Sequence, residues 1–411
     1  MAQVAYQAFQ VIPEGSIVSP QGFAAGGLHC GLKKTERNDL GVITCEVLAD
    51  AAAVYTTNVF QAAPLQVTRE SMQNGKLQAI VVNSGNANAV TGQQGEKDAY
   101  AMRLATAKEL GIAVENVAVA STGVIGELLN MEKVHAGIKG LPARVGSGKQ
   151  EASDFSQAIL TTDLVKKEIC VRTFIDGKEV MIAGAAKGSG MIHPNMATML
   201  AFVTCDAQVD QAALQGLLGK STDATFNMIT VDGDTSTNDM LIAMASGLAG
   251  NETLHPGHKD WENFAATFNY VCEVLAKAIA RDGEGATKLV EVNIAGAVSD
   301  DSARAIAKTV IGSSLVKSAM FGADANWGRI IAAVGRAGEP VQPDQVDVKL
   351  GSILVLSGSR PVAFDEEEAL RYLQGDSVQI HVDLHGGSGV ATAWGCDLTY
   401  DYVRINAAYR T

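Results

Sequence analysis

Apolar and polar positions change period often along this chain, in short blocks bounded by turn residues. Ala79–Val82 (AIVV) and Val117–Ala120 (VAVA) are continuous apolar runs of the length that buried strands carry. Between them, Glu96–Leu110 repeats its apolar positions at helical spacing and stops at Gly111, a favoured residue just past a helix end. Lys166–Ala183 reads as a hairpin, its arms EICVRTFI and EVMIA joined through Asp176-Gly177-Lys178; Asp-Gly is a strong hairpin signal. Further on, the pattern predicts a strand at Leu200–Thr204, helices at Asp210–Gly219 and Lys259–Ile279, and a half-buried strand at Val290–Ile294. Helices follow over Asp300–Phe321 and Trp327–Arg336, strands at Val346–Leu350 and Ile353–Leu356, and a charged surface helix at Glu366–Leu373. Val378–Leu384, Val390–Trp394 and Tyr402–Ile405 read as strands that close a sheet. Short turns separate the strands more often than helices do. That favours a mixed or antiparallel α+β arrangement over a doubly wound parallel sheet.

The length of 411 residues and the 47% apolar, 19% charged composition predict a packed protein of two or three domains, or one large two-layer unit. A net charge of -13 argues against nucleic-acid binding, which needs clustered Lys and Arg. The six cysteines are widely spaced with no C-x-x-C pair, as expected of reduced thiols in a cytoplasmic protein. The first residues show no signal- or transit-peptide pattern, and the longest apolar run, Met196–Val203, is far too short to cross a membrane. No membrane partner is expected.

Several common motifs fail on inspection. Val145–Gln150 imitates a phosphate-binding loop but has Ala143 where the first Gly belongs and Gln150 in place of the Mg-binding hydroxyl. Gly188–His193 lacks the third Gly of a dinucleotide fingerprint, there is no G-x-S-x-G elbow, and Asp232-Gly233-Asp234 does not follow calcium-loop spacing. His381, Asp383 and His385 share one face of a predicted strand, so a metal site is conceivable there, although exposed strand faces often carry such residues. His193 reads either as a base or as a turn residue before Pro194.

The segment KGSGMIHPNMATML, residues 187–200, differs from these. Two glycines permit unusual backbone angles, Pro194-Asn195 marks a turn, and a small residue, Ala197, precedes a hydroxyl, Thr198, at the opening of an apolar strand. A hydroxyl held in a bent chain can attack its own preceding peptide. The cut would free an α-amine on Thr198, whose reference pKa of about 7.7–8.0 suits it as general base for the same hydroxyl. Taken by itself, a Gly-rich turn before a strand is in most cases only a turn.

KGSGMIHPNMATML closely resembles the processing segment of the glutamate N-acetyltransferase / ornithine acetyltransferase family of arginine biosynthesis. GFAAGGLHCGLKK (22–34), NSGNANA (83–89), ASTGVIGE (120–127), TTD (161–163), TVDGDTSTND (230–239), ARDGEGATK (280–288), FGADANWGRI (321–330) and YVRINAAYRT (402–411) extend the resemblance over nearly the whole chain. It implies a layered α+β sandwich of mixed sheets and helices, of the self-processing N-terminal-nucleophile kind. It implies a cut between Ala197 and Thr198, giving an α fragment 1–197 and a β fragment 198–411 that fold together and assemble as a heterotetramer. Thr198 would be the nucleophile, and Thr122 and Gly123 the oxyanion hole. Substrate contacts would fall to Lys187, Glu284, Asn406, Thr411, Thr198 and, in the TTD stretch, Thr161 or Thr162. The implied cycle is ping-pong: an acetyl group passes from N-acetylornithine to Thr198, releasing ornithine, and then to glutamate, giving N-acetylglutamate. It calls for no metal or other cofactor; some members also accept acetyl-CoA. The VKK sequence after TTD departs from the Pro-Lys pattern of the family. Two rivals share the pattern: a self-processing aminopeptidase or amidase of the same fold, and an uncut, non-enzymatic binding protein.

Overall fold

The computed structural model describes residues 9–193 and 199–408. They divide into two units, the first within 1–188, 195–226 and 235–275 and the second within 189–194, 227–234 and 276–411.

The apolar runs become the middle of a mixed sheet in the first unit. Its strands lie in the order Phe9–Val11, Lys167–Ile175, Lys178–Lys187, Leu200–Cys205, Met240–Ala245, Leu40–Tyr55, Lys76–Asn86 and Val117–Val124, with Phe23–Leu28 also pairing on Leu40–Tyr55. The Leu200/Met240 and Lys76/Val117 ladders are parallel and the others antiparallel. Alternate residues feed two cores. Val42, Val81, Val117 and Val119 enter one with Met102 and Val134; Ile43, Ile80, Val82, Ala118 and Ala120 enter the other with Phe155 and Phe202. Burial of both sheet faces is why AIVV and VAVA are continuous rather than alternating. The hairpin forms as its turn predicts, with Asp176 (φ 52°) and Gly177 (φ 73°) both left-handed. The pairing of Leu40–Tyr55 with Lys76–Asn86 shifts register between Thr44 and Ala49. Such a bulge bends a strand, and this one pairs through its first half with Phe23–Leu28 and through its second with Met240–Ala245.

In the second unit the strand order is Arg360–Pro361, Ile353–Ser357, Asp347–Leu350, Ser377–Asp383, Leu289–Ala297, Gly389–Cys396 and Ile229–Thr230. The helix Asp300–Ile311 covers it, starting where the Ser299 side chain accepts from the Ser302 N–H and burying Ala303, Ile306, Ala307, Val310 and Ile311 along one stripe. Each unit is thus an α+β layering of mixed sheet and helix. Among the described residues no helix is long and apolar enough to cross a membrane.

Two expectations are corrected. The helix expected over Asp300–Phe321 is two, ending at Ile311 and restarting at Ser314, because Ser313 caps the second by accepting from Val316 N–H. Tyr402–Ile405 is no strand but part of the helix Tyr400–Ala407, capped by Thr399 and laced by an Asp401–Arg404 ion pair. The phosphate-loop imitation is simply the start of the helix Lys149–Ala158.

Candidate active site

In the first unit, Thr122 and Gly123 sit near the end of Val117–Val124, opposite Ser84 and Gly85 of the parallel neighbour. Gly123 has φ 137°, and a Cβ there would lie 2.3 Å from the Gly85 carbonyl carbon, so only glycine fits. The surrounding NSGNANA stretch is held by side-chain amides. Asn83 Nδ2 donates to Asn86 O at 2.9 Å, Asn86 Nδ2 reaches Glu127 O at 3.1 Å, and Asn88 Nδ2 reaches Gly95 O at 2.8 Å. Side-chain hydrogen bonds of this kind fix a loop where the ladder ends.

Lys187 closes the strand Lys178–Lys187 and is buried. Its Nζ donates to Thr122 Oγ1 at 3.0 Å. The next residue, Gly188, donates its N–H to Asp163 Oδ1 at 2.6 Å, while Asp163 Oδ2 accepts from the Thr161 N–H at 2.9 Å. Lys167 Nζ lies 2.7 Å from Asp163 Oδ1, and neither side chain has any exposure. Burial alone would raise the Asp163 carboxyl, but the ammonium groups of Lys167 and Lys187 and the hydrogen bonds outweigh it and hold it at about 2. Thr161 and Thr162 are half-buried beside this carboxylate. The Lys167 of the unusual VKK sequence is therefore an internal counterion. Lys33, which stands in the GLKK stretch and donates to Asn38 O at 2.7 Å, is pushed down to about 8, chiefly by burial.

In the second unit, Glu284 is buried and its Oε2 accepts from Asn406 Nδ2 at 2.8 Å. Its carboxylate lies against Gly190, where a Cβ would come within 2.4 Å of it. Glu284 N–H donates to Ser189 O at 3.0 Å, which ties the segment after Lys187 to the GEGATK turn. Asp232 accepts from the N–H groups of Met191 (2.6 Å) and Ile192 (2.8 Å), so the acidic loop that fits no calcium pattern serves as a backbone clamp. Thr230 Oγ1 donates to Ile192 O and lies 3.0 Å from His193 Nδ1. The hydroxyl proton is thereby used, which assigns the ring proton to Nδ1; burial lowers the His193 pKa. That is the behaviour of a turn residue held in place.

Ala197, Thr198 and Thr411 lie outside the described residues. The structure brings Thr122, Gly123, Lys187 and Thr161 together in the first unit, and Glu284 and Asn406 in the second. Asp163, Lys167 and Asp232 were missed by the sequence reading; the Asp of the TTD stretch was the available signal. His381, Asp383 and His385 do not gather as metal ligands: His385 pairs instead with Asp347 (3.0 Å) and Asp383 (3.6 Å). Among the described residues the one such group is Asp176, Glu252 and His258. There His258 Nδ1 accepts from Asp260 N–H, leaving Nε2 to donate to Asp176, and Lys259 holds the other Asp176 oxygen at 3.0 Å. This is a hydrogen-bonded clamp on the hairpin turn rather than a set of open ligands.

A layered α+β protein with a buried Lys–Thr pair, a half-buried glycine beside it and a glycine-rich excursion is the class these observations define. The chain belongs to the ArgJ family, whose model matches residues 24–411. It is 60% identical over 401 residues to the arginine biosynthesis bifunctional protein ArgJ of Geobacillus kaustophilus, covering 97% of each chain. It is 55% identical to that of Shouchella clausii, covering 100% of this chain and 99% of the relative. The crystal structure of the Bacillus halodurans protein of the same name matches with TM-score 0.51 and 59% identity, covering 52% of this chain and 100% of the solved one.

Proposed function

We propose that this chain, an enzyme of the ArgJ family, cuts itself between Ala197 and Thr198 and then moves acetyl groups on the freed Thr198. The observation that carries this reading is the Lys187–Thr122 bond. A hydroxyl oxygen that accepts from an ammonium keeps its own proton for another acceptor, as an oxyanion donor must. The register supports it too, since Leu200, two residues past the scissile position, pairs with Lys187.

The Thr198 amine takes the hydroxyl proton, and the oxygen attacks the acetyl carbonyl of N-acetylornithine. Thr122 and the Gly123 N–H stabilise the oxyanion; the C–N bond breaks and ornithine leaves carrying the proton. The amine of glutamate then attacks the acetyl-threonine ester, giving N-acetylglutamate and restoring Thr198. Lys187 is assigned to a substrate carboxylate and Glu284, with Asn406, to the cationic amine of ornithine. Thr161 and Thr411 complete the contacts, and two α with two β fragments make the working assembly.

The test is direct. Purified wild-type protein run on a denaturing gel gives two bands of about half mass, and Thr198→Ala gives one. Cut protein mixed with N-acetylornithine and glutamate yields N-acetylglutamate. A single persistent band with full activity ends the reading, and preferred transfer to water makes the chain an amidase. N-acetylornithine and acetyl-CoA offered separately show whether the second donor is used.

A further inference from the structure

We infer that Lys187 acts on the oxyanion donor Thr122 as well as on substrate, and that buried Asp163 is the positioning residue that holds it there. The inference rests on the acetyl-transfer reading and deepens it. All the groups involved lie in the first unit.

Asp163 joins three segments through one carboxylate. Oδ2 holds the Thr161 N–H at 2.9 Å; Oδ1 holds Lys167 Nζ at 2.7 Å and the Gly188 N–H at 2.6 Å. The last bond fixes the backbone immediately after Lys187, so the direction in which that side chain leaves its strand is set by Asp163. The Lys187 ammonium ends 3.0 Å from Thr122 Oγ1. A charge-assisted donor on the hydroxyl oxygen does two things: it occupies a lone pair, which commits the hydroxyl to donate its own proton elsewhere, and it makes that proton a stronger donor. Charge balance explains why the carboxylate is needed. Lys167 and Lys187 both act electrostatically on Asp163, and Lys33 acts on both Lys187 and Asp163. Without an internal anion, burial would strip the proton from one of these amines and the donor to Thr122 would weaken.

A role limited to binding the substrate carboxylate makes a different prediction, and p-nitrophenyl acetate separates the two. This ester delivers an acetyl group but has no carboxylate. The burst of p-nitrophenol from cut enzyme reports acetylation of Thr198. Lys187→Met and Asp163→Asn are each expected to slow the burst about 10- to 100-fold, a part of the 100- to 1000-fold that losing an oxyanion donor costs. Asp163→Glu, which restores the charge, should recover part of the rate, and circular dichroism melts check that the variants are folded. A burst at the wild-type rate in Lys187→Met, with only KM for N-acetylornithine raised, overturns the inference. If Lys187→Met remains uncut, Lys187→Gln, which keeps an N–H donor without the charge, is read in the same way. Failure of the parent reading looks different: the wild type itself then shows no transfer from N-acetylornithine to glutamate.

Discussion

Replacing Gly123 by Ala isolates what the proposed oxyanion segment demands of its backbone. At φ 137° no L side chain is comfortable, and the added Cβ would lie 2.3 Å from Gly85 C and 2.5 Å from Asn86 N. Both are backbone atoms of the neighbouring strand, so no side chain can swing away; the parallel strands must part. Forcing the φ costs ~1–3 kcal/mol and the overlap another ~1–3 kcal/mol. At ~2–4 °C per kcal/mol for a unit of this size, the melting temperature falls by ~4–24 °C. Parting the strands also shifts Thr122 from Lys187, and if Thr122 has the proposed role a displacement of ~1 Å there costs ~100-fold in rate. Gly126→Ala is the control, because Gly126 also has positive φ (85°) but has nothing within 4 Å of an added Cβ. Differential scanning fluorimetry, a gel for the cut and an acetyl-transfer assay read the three consequences. If Gly123→Ala melts no lower than Gly126→Ala and is cut and active like the wild type, the steric account of this segment is refuted.

Three further outcomes follow from the same geometry. Glu284→Gln keeps the shape beside Gly190 and Asn406 but removes the charge; KM for N-acetylornithine should rise ~10- to 100-fold, as for a lost charged hydrogen bond, with the cut complete, and an unchanged KM would remove Glu284 from the substrate. Asp163 has a folded pKa of about 2 against ~3.9 unfolded, so its contribution of ~2–3 kcal/mol is full above pH ~4 and is lost as pH falls towards 2. Urea midpoints of wild type and Asp163→Asn should therefore converge across that window, and a constant gap would contradict the buried ion pair. Phe155→Ala empties the core between the sheet and the helix Lys149–Ala158, for ~3–5 kcal/mol of stability by the same denaturation assay, whereas a loss under ~1 kcal/mol would show that the site collapses freely.

How much of this was legible in the sequence depended on whether local pattern or tertiary contact decided the element. AIVV and VAVA declared themselves because both sheet faces are buried, and Asp176-Gly177 because its backbone angles suit so few residues. Leu40–Tyr55 did not, since Glu46, Asp50 and a run of alanines make a poor strand by propensity; its bulge and three partner strands override that. Tyr402–Ile405 misled in the other direction, because β-branched and aromatic residues suggested a strand while the helix is set by the Thr399 cap just outside it. For the proposed site, the resemblance named Thr122, Gly123, Lys187, Glu284 and Asn406. Asp163 and Lys167 stayed hidden because a charged residue is exposed in most proteins, and only the fold shows that these two are fully enclosed.

The strand order bears on why the proposed cut after residue 197 need not unmake the fold. Leu200–Cys205 and Met240–Ala245 come from beyond the cut, yet in the first unit they lie side by side between Lys178–Lys187 and Leu40–Tyr55, which come from before it. Ladders on both flanks of this inserted pair therefore join the two fragments, with Phe202 and Ile242 buried in the same core as Ile43 and Phe155. A division by compact units would place boundaries near 188, 194, 226, 234 and 275, none of them at 197. The bond between Ala197 and Thr198 thus joins two segments that the sheet already holds, so the proposed cut would free an amine without freeing a strand. Released fragments should separate only under conditions that melt the sheet itself. Fragments that parted on gel filtration in native buffer would show that the ladders joining the two stretches are too weak to hold them together.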